Sequence, residues 1–240
     1  MAGPAPVAEI ASSVPSDLPG YRPLLAHRLR APAVAAIVLA VIVITVLGIH
    51  HADEEVPGCL DGHLDALISS WLYRDHVITG ALVTLGDPAP IAILIAVVAG
   101  GAAAARRWSG VLLPIIGTIT AATLTEVILK PLIGRLLSGH LSFPSGHTTA
   151  VAAVAVAAAV LIVSGRWPRS AALRILAGVT TVVVASGVAI SLVALRIHYL
   201  TDTVAGACVA IATVLAIALG LDHWCQPGTA RQGGDGGLAG

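Results

Sequence analysis

The sequence predicts an all-α, polytopic membrane protein: six transmembrane helices in a bundle, with an amphipathic helix against its surface. Three observations predict it. Of 240 residues, 57% are hydrophobic and 11% charged, with mean hydropathy +0.92, too apolar for a water-soluble domain of this length. The apolar residues gather into runs long enough to cross a bilayer, joined by short polar segments. The charges sit at the ends of those runs. Lys+Arg and Asp+Glu number 13 each, so net charge implies no polyanionic partner, and no nucleic-acid-binding motif is present.

The elements follow in order. Residues 1–30 form an Ala-, Pro- and Ser-rich tail, expected to be disordered, that ends in Arg22, Arg28 and Arg30. The first apolar run, Pro32–Ile49, starts late for a secretory signal and is long enough to span, so it reads as an uncleaved first helix. The acidic, turn-prone HHADEEVPG comes next. Between Asp61 and His76, Leu64, Leu67, Ile68, Trp71 and Leu72 form the stripe of an amphipathic helix. With Trp71 and Tyr73 it could lie in the membrane surface or pack as a loop helix over the bundle, and the spacing does not separate the two.

Gly86-Asp87-Pro88 breaks the chain before the second span, Ala89–Ala105, which ends in Arg106-Arg107. The third runs from about Val111 to Leu129, and the fourth from near His147 to Val163. The fifth occupies about Ala171–Leu195 and the sixth about Tyr199–Leu221. One membrane domain, 31–221, is thus expected between the first tail and a Gly-rich tail, 222–240. Cys59, Cys208 and Cys225 lack metal-ligand spacing and read as free thiols.

Alternate joints orient the spans. One side receives nine arginines: 22, 28, 30, 106, 107, 166, 169, 174 and 231. The other receives Arg74, Lys130, Arg135 and Arg196. Nine against four places both termini in the cytoplasm. Lys130, Arg135 and Arg196 defy that bias and lie at the extracytoplasmic ends of spans three to six, where they could converge. A single lysine among 13 basic residues, in an alanine-rich chain, points to a GC-rich bacterial genome and so to the plasma membrane.

The chemistry gathers at that end. Pro144-Ser145-Gly146-His147 sits where a loop becomes the fourth span. Ser145 is a good N-cap, and the helix start offers unpaired N–H groups and a positive dipole end to an anion. Gly146 lets a ligand approach the backbone, and Lys130 and Arg135 add charge suited to a phosphoryl group. The plain alternative is an ordinary capped helix with snorkelling basic side chains. His198 and Asp202 stand four apart, on one face if helical, so the carboxylate can orient the imidazole. That pair could instead be a polar couple at a helix end. His147 on the same side favours chemistry, with one histidine attacking and the other protonating a leaving oxygen. Glu126 stands four before Lys130 and could pair with it structurally.

These residues resemble the type 2 phosphatidic acid phosphatase superfamily, whose members share a phosphate pocket with vanadium haloperoxidases. That pattern reads Lys, six residues, Arg-Pro; then PSGH; then Ser-Arg, five residues, His, three residues, Asp. Here it aligns with Lys130, with Pro144 to His147, and with Ser191 through His198 to Asp202, over about residues 125–206. The chain departs twice: Leu137-Ser138 replace Arg-Pro, and Leu192 replaces the second arginine. Arg135, and Arg196 one helical turn beyond Leu192, are the expected replacements.

The resemblance implies a fold, a haloperoxidase-like bundle, and a set of roles. His198 attacks phosphorus, Asp202 orients it, and His147 serves as acid and then base. Lys130, Arg135, Ser145, Gly146 and Arg196 hold the phosphoryl oxygens, with no metal or cofactor. The expected activity is a metal-independent phosphatase acting through phosphohistidine on a lipid phosphate or pyrophosphate at the extracytoplasmic face. Its partners are that substrate and membrane lipids, with no nucleic acid; oligomeric state is left open. Alternatives are a phosphotransferase on the same machinery, or a degenerate phosphate- or lipid-binding membrane protein.

Overall fold

In α1, His27–His50, the small residues Ala33, Ala40 and Gly48 face inward, while Val38, Leu39 and Val46 face out. That is the pattern of a helix solvated by lipid and packed through small side chains. A Cβ on Gly48 would stand 3.1 Å from Ile133 Cδ1, so the glycine sets how closely α1 approaches. The structure, a computed structural model, describes residues 23–56, 58–72, 75–165 and 170–224.

After α1 come α2 (Cys59–Leu72), α3 (His76–Thr84), α4 (Pro88–Ala104) and α5 (Trp108–Thr123). α5 continues through a wider, π-helical stretch, Leu124–Leu129, into the short α6, Lys130–Ile133. Pro131 accounts for the widening, because it donates no N–H and its ring crowds the carbonyl four residues back. A two-stranded hairpin, β1 (Leu136–Leu137) with β2 (His140–Leu141), turns through Ser138 and Gly139, both at positive φ. The chain ends in α7 (Gly146–Ser164), α8 (Ala171–Ala194) and α9 (Leu200–Trp224).

Among the described residues, five helices are long and apolar enough to cross a membrane: α1, Trp108–Ile133, α7, α8 and α9. α3 and α4, bent by 62° at their break, supply a sixth when taken as one span. The expected break at Gly86-Asp87 is present, but α3 went unread in the sequence. The fold class is as expected: a helical membrane bundle.

The two ends of the bundle differ. At one, Arg107 donates to the Leu161 carbonyl (3.0 Å) and the Ser164 hydroxyl (3.1 Å), and Asp222 accepts from the N–H groups of Leu24 and Leu25 at 2.6 and 2.8 Å. The other end carries α2, the hairpin and the starts of α7 and α9. Among the described basic residues, Arg28, Arg30, Arg106, Arg107 and Arg174 belong to the first end, and Lys130, Arg135 and Arg196 to the second. The remaining arginines, and both expected tails apart from a few residues, lie outside the described residues.

α2 packs over the bundle. Its buried residues are polar, Asp61 and Ser69, while Leu67 and Trp71 are 56% and 77% exposed. Leu64, Ile68 and Leu72 are half-buried, so the helix packs on the bundle and still presents part of its apolar stripe outward.

Candidate active site

Within a helix, the first-turn N–H groups of α9 have no partners. Two carboxylates from α2 supply them. Asp65 Oδ1 accepts from Leu200 N–H and Asp61 Oδ1 from Thr201 N–H, each at 3.2 Å, while the Thr201 hydroxyl donates to Asp61 Oδ2 at 2.7 Å. Asp202, in the same turn, reaches back to accept Tyr199 N–H at 3.1 Å, and its Oδ2 lies 3.4 Å from His198 Nδ1. This leaves His198 Nε2 as the nitrogen not turned to Asp202.

α7 begins differently. Ser145 caps it, its Oγ accepting Thr148 N–H at 3.4 Å. Ser145 N–H donates to the Asp202 carbonyl at 3.0 Å, so the two helix starts are joined directly. Gly206, one turn along α9, permits the approach: a Cβ there would stand 2.6 Å from the Ser145 carbonyl oxygen. His147 lies against the Gly86-Asp87 break, its Nε2 3.2 Å from Asp87 Oδ1. Lys130 Nζ is 2.8 and 2.9 Å from the two Glu126 carboxylate oxygens, the pairing expected from their spacing. A Cβ on Gly146 would strike the Glu126 carboxylate and stand 3.8 Å from Lys130 Nζ, which puts Lys130 beside the first turn of α7.

Lys130, Ser145, Gly146, His147, His198 and Asp202 thus meet at one end of the bundle. Arg135 does not join them as expected. It is wholly buried among carboxylates: Nη1 donates to Asp202 Oδ1 (2.6 Å) and the Thr201 hydroxyl (2.7 Å), and Nη2 pairs with Asp61 (2.6 Å) and Glu54 (2.9 Å). Its guanidinium also stacks 4.1 Å above the Tyr199 ring. Backbone pairing of Leu136 N–H with the Glu54 carbonyl (2.9 Å) brings the loop after α1 to it. Both terminal nitrogens are engaged with protein acceptors, so the arginine lies under the site and not in a phosphate cradle.

Arg196 needs a second correction. α8 ends at Ala194, so Arg196 does not continue the face of Leu192. Ile197 N–H donates to the Leu192 carbonyl and Arg196 N–H to that of Val193, both at 2.9 Å, which makes a Schellman turn. Arg196 holds its left-handed position at φ +57°, where glycine is usual. The residue is exposed, while Leu192 is fully buried against Ile91, Val151 and Val188. Strain of about 1–2 kcal/mol at such a position is often kept where function needs it.

Electrostatics follow from this packing. Burial alone would raise the Asp61 pKa, but hydrogen bonds from Arg135 and Thr201 hold it below the ordinary value. For Asp65, burial and the charges of Asp61 and Asp202 outweigh the Leu200 N–H and the Arg135 charge, and its pKa rises to about 6. Burial would lower the Arg135 pKa, yet Asp202, Asp61 and Glu54 raise it. The sequence reading missed Asp61, Glu54, Asp87 and Thr201. Asp87 stands in the break already marked, while the others are 66 to 81 residues from Arg135 in sequence (135 − 54 = 81 for Glu54) or without any local signal.

Residues 122–223 match the family model described as the PAP2 superfamily. The match spans the part of the chain that carries the PSGH and His198–Asp202 motifs. The crystal structure of a transmembrane PAP2 type phosphatidylglycerolphosphate phosphatase from Bacillus subtilis is similar, with TM-score 0.60 and 22% identity, over 83% of this chain and 98% of that one. At that identity the likeness speaks for the fold alone. No curated protein shows significant similarity to the chain. No group of three or more His, Cys, Asp or Glu fit to hold a metal occurs among the described residues.

Proposed function

We propose that the chain is an integral membrane phosphatase that removes phosphate from a lipid monoester or pyrophosphate at the extracytoplasmic face. The single observation that carries this reading is the 3.0 Å bond from Ser145 N–H to the Asp202 carbonyl. It fixes an anion-seeking helix start beside an imidazole with a carboxylate behind it.

In this reading His198 Nε2 attacks phosphorus, and the bond from phosphorus to the leaving oxygen breaks. His147, supported by Asp87, gives that oxygen its proton. Asp202 stabilises the imidazolium of the phosphohistidine. Water then attacks phosphorus, His147 takes a proton from it, and the P–N bond breaks to release inorganic phosphate. Lys130, the first turn of α7 and Arg196 bear the charge that builds on the phosphoryl oxygens, so a metal has no step to perform. A wholly apolar groove of about 480 Å³, lined by Ile42, Val46, Leu60, Leu200 and Val204 among others, reaches Thr201 and suits a lipid chain.

The test is phosphate release by purified protein in detergent from phosphatidylglycerol phosphate, phosphatidic acid, diacylglycerol pyrophosphate and a polyprenyl diphosphate. Activity resistant to EDTA, inhibited by vanadate and reduced at least a thousandfold in His198→Ala supports the reading. An acid-labile phosphoprotein, absent from the variant, identifies the intermediate. Metal-dependent turnover, or turnover unaffected by His198→Ala, overturns it.

A further inference from the structure

We infer that Asp61, on α2, is a positioning residue for the reaction: it sets Asp202, and through it His198, by way of Arg135 and Thr201. This inference rests on the proposed function and assigns α2 a part in it.

The argument starts from one guanidinium and its neighbours. Arg135, Asp61 and Asp202 are all at or near zero exposure, where an unmatched charge is costly and a matched one is held tightly. Asp61 is bound three ways: by Arg135 Nη2, by the Thr201 hydroxyl and by Thr201 N–H. Asp202 is bound by Arg135 Nη1 through Oδ1, and its other oxygen is the one that faces His198. A guanidinium is planar and rigid, so fixing one side of the fork fixes the other. Asp61 therefore restrains the plane of Asp202 although it touches no part of the cradle around Lys130 and Gly146.

The charge count points the same way. Arg135 faces three carboxylates, Asp202, Asp61 and Glu54, the last also paired with His51, so Asp202 and Asp61 together leave an excess of negative charge beneath His198. Such a field stabilises the imidazolium formed when His198 becomes phosphorylated. Removing the Asp61 charge lets Arg135 act more fully on Asp202 and weakens that field. The other titratable or charged groups around this cluster are Asp65 on α2, Tyr199 and Arg196 in the turn before α9, and His51, whose Nδ1 is 2.5 Å from Glu54.

The experiment compares wild type with Asp61→Asn, Asp61→Glu and Thr201→Ala. Asp61→Asn is expected to lower kcat about tenfold or more, with KM within about twofold, because the variant alters the reacting imidazole and not the cradle. The acid limb of kcat/KM moves to lower pH, since a His198 with less negative charge beneath it loses its proton more readily. Asp61→Glu restores part of kcat. Thr201→Ala, a milder change that removes the bridging hydroxyl, moves kcat in the same direction by less.

The His198 titration is also followed by NMR with labelled histidine, in protein without substrate, and its pKa falls in Asp61→Asn. If Asp61→Asn fails to fold, Thr201→Ala with this titration decides the matter. Loss of activity only in proportion to folded protein, with the pH profile and His198 titration unmoved, would overturn the inference. An inactive wild type would sink the proposed function, while the titration still reports on the network.

Discussion

Two helix starts touch at the end of this bundle, and they are finished in opposite ways. α7 caps itself with Ser145 and has the Lys130–Glu126 pair at its first turn. α9 receives Asp61 and Asp65 from another helix, and Asp202 from itself. Both starts carry the same partial positive charge and the same unpaired N–H groups. The difference is what the surroundings offer them. α9 is already satisfied by fixed carboxylates and serves as a platform for an imidazole. At α7 the carboxylate is that of Glu126, paired with Lys130, so in the proposed reading an arriving phosphate competes with Glu126 for the lysine and the helix start.

The contrast can be broken first on the cationic side. Arg196→Gly should lower phosphatase activity by about a hundredfold, the scale for losing one charge-stabilising donor. Glycine also suits φ +57°, so the same variant should be more stable by about 1 kcal/mol, read as a higher melting temperature in detergent. Activity unchanged in Arg196→Gly would leave the exposed arginine without a role in the cradle.

Next comes the joint itself. Gly206→Ala places a methyl 2.6 Å from the Ser145 carbonyl oxygen, where backbone must shift. Overpacking of this kind destabilises by about 1–3 kcal/mol. A displacement near 1 Å between the helix starts lowers turnover by about a hundredfold. Denaturation and initial rates measured on one preparation separate the two effects.

The carboxylate side is sharpened by pH. Asp65 has a folded-state pKa of about 6, above the ordinary 3.8, so folding favours its protonated form. Its contribution to stability is present below pH 4 and is lost as pH rises through 6. Asp65→Asn keeps an acceptor without the charge. The variant should melt above wild type at pH 7.5, and the gap should close by pH 4. A gap equal at both values would contradict this origin. The smallest effect is expected from the cap: Ser145→Ala should lower stability by about 1 kcal/mol, measured by thermal melting.

Much of the frame was legible in the sequence because it depends on local pattern. Six apolar runs, the break at Gly86-Asp87 and the PSGH helix start all follow from residues close together. His198 with Asp202, and Glu126 with Lys130, were legible for the same reason: each is a spacing of four. Arg135 was not. Its partners come from α2, the loop after α1 and α9, and no spacing announces a contact made across the bundle. The hairpin carried a Ser138-Gly139 signal that went unread, and α3 is too short to show a clear period. Arg196 misled because an arginine stands at the helix terminus where glycine would have marked the end.

The order in which Arg135 meets its partners has a consequence for biogenesis. Glu54 and Asp61 precede it in the chain, whereas Asp202 follows 67 residues later. As the polypeptide emerges from the ribosome, two counter-ions are already waiting when the guanidinium arrives. The cation has partners while the last three spans are still being made, and the arrival of α9 completes an assembly whose anchor is in place beforehand.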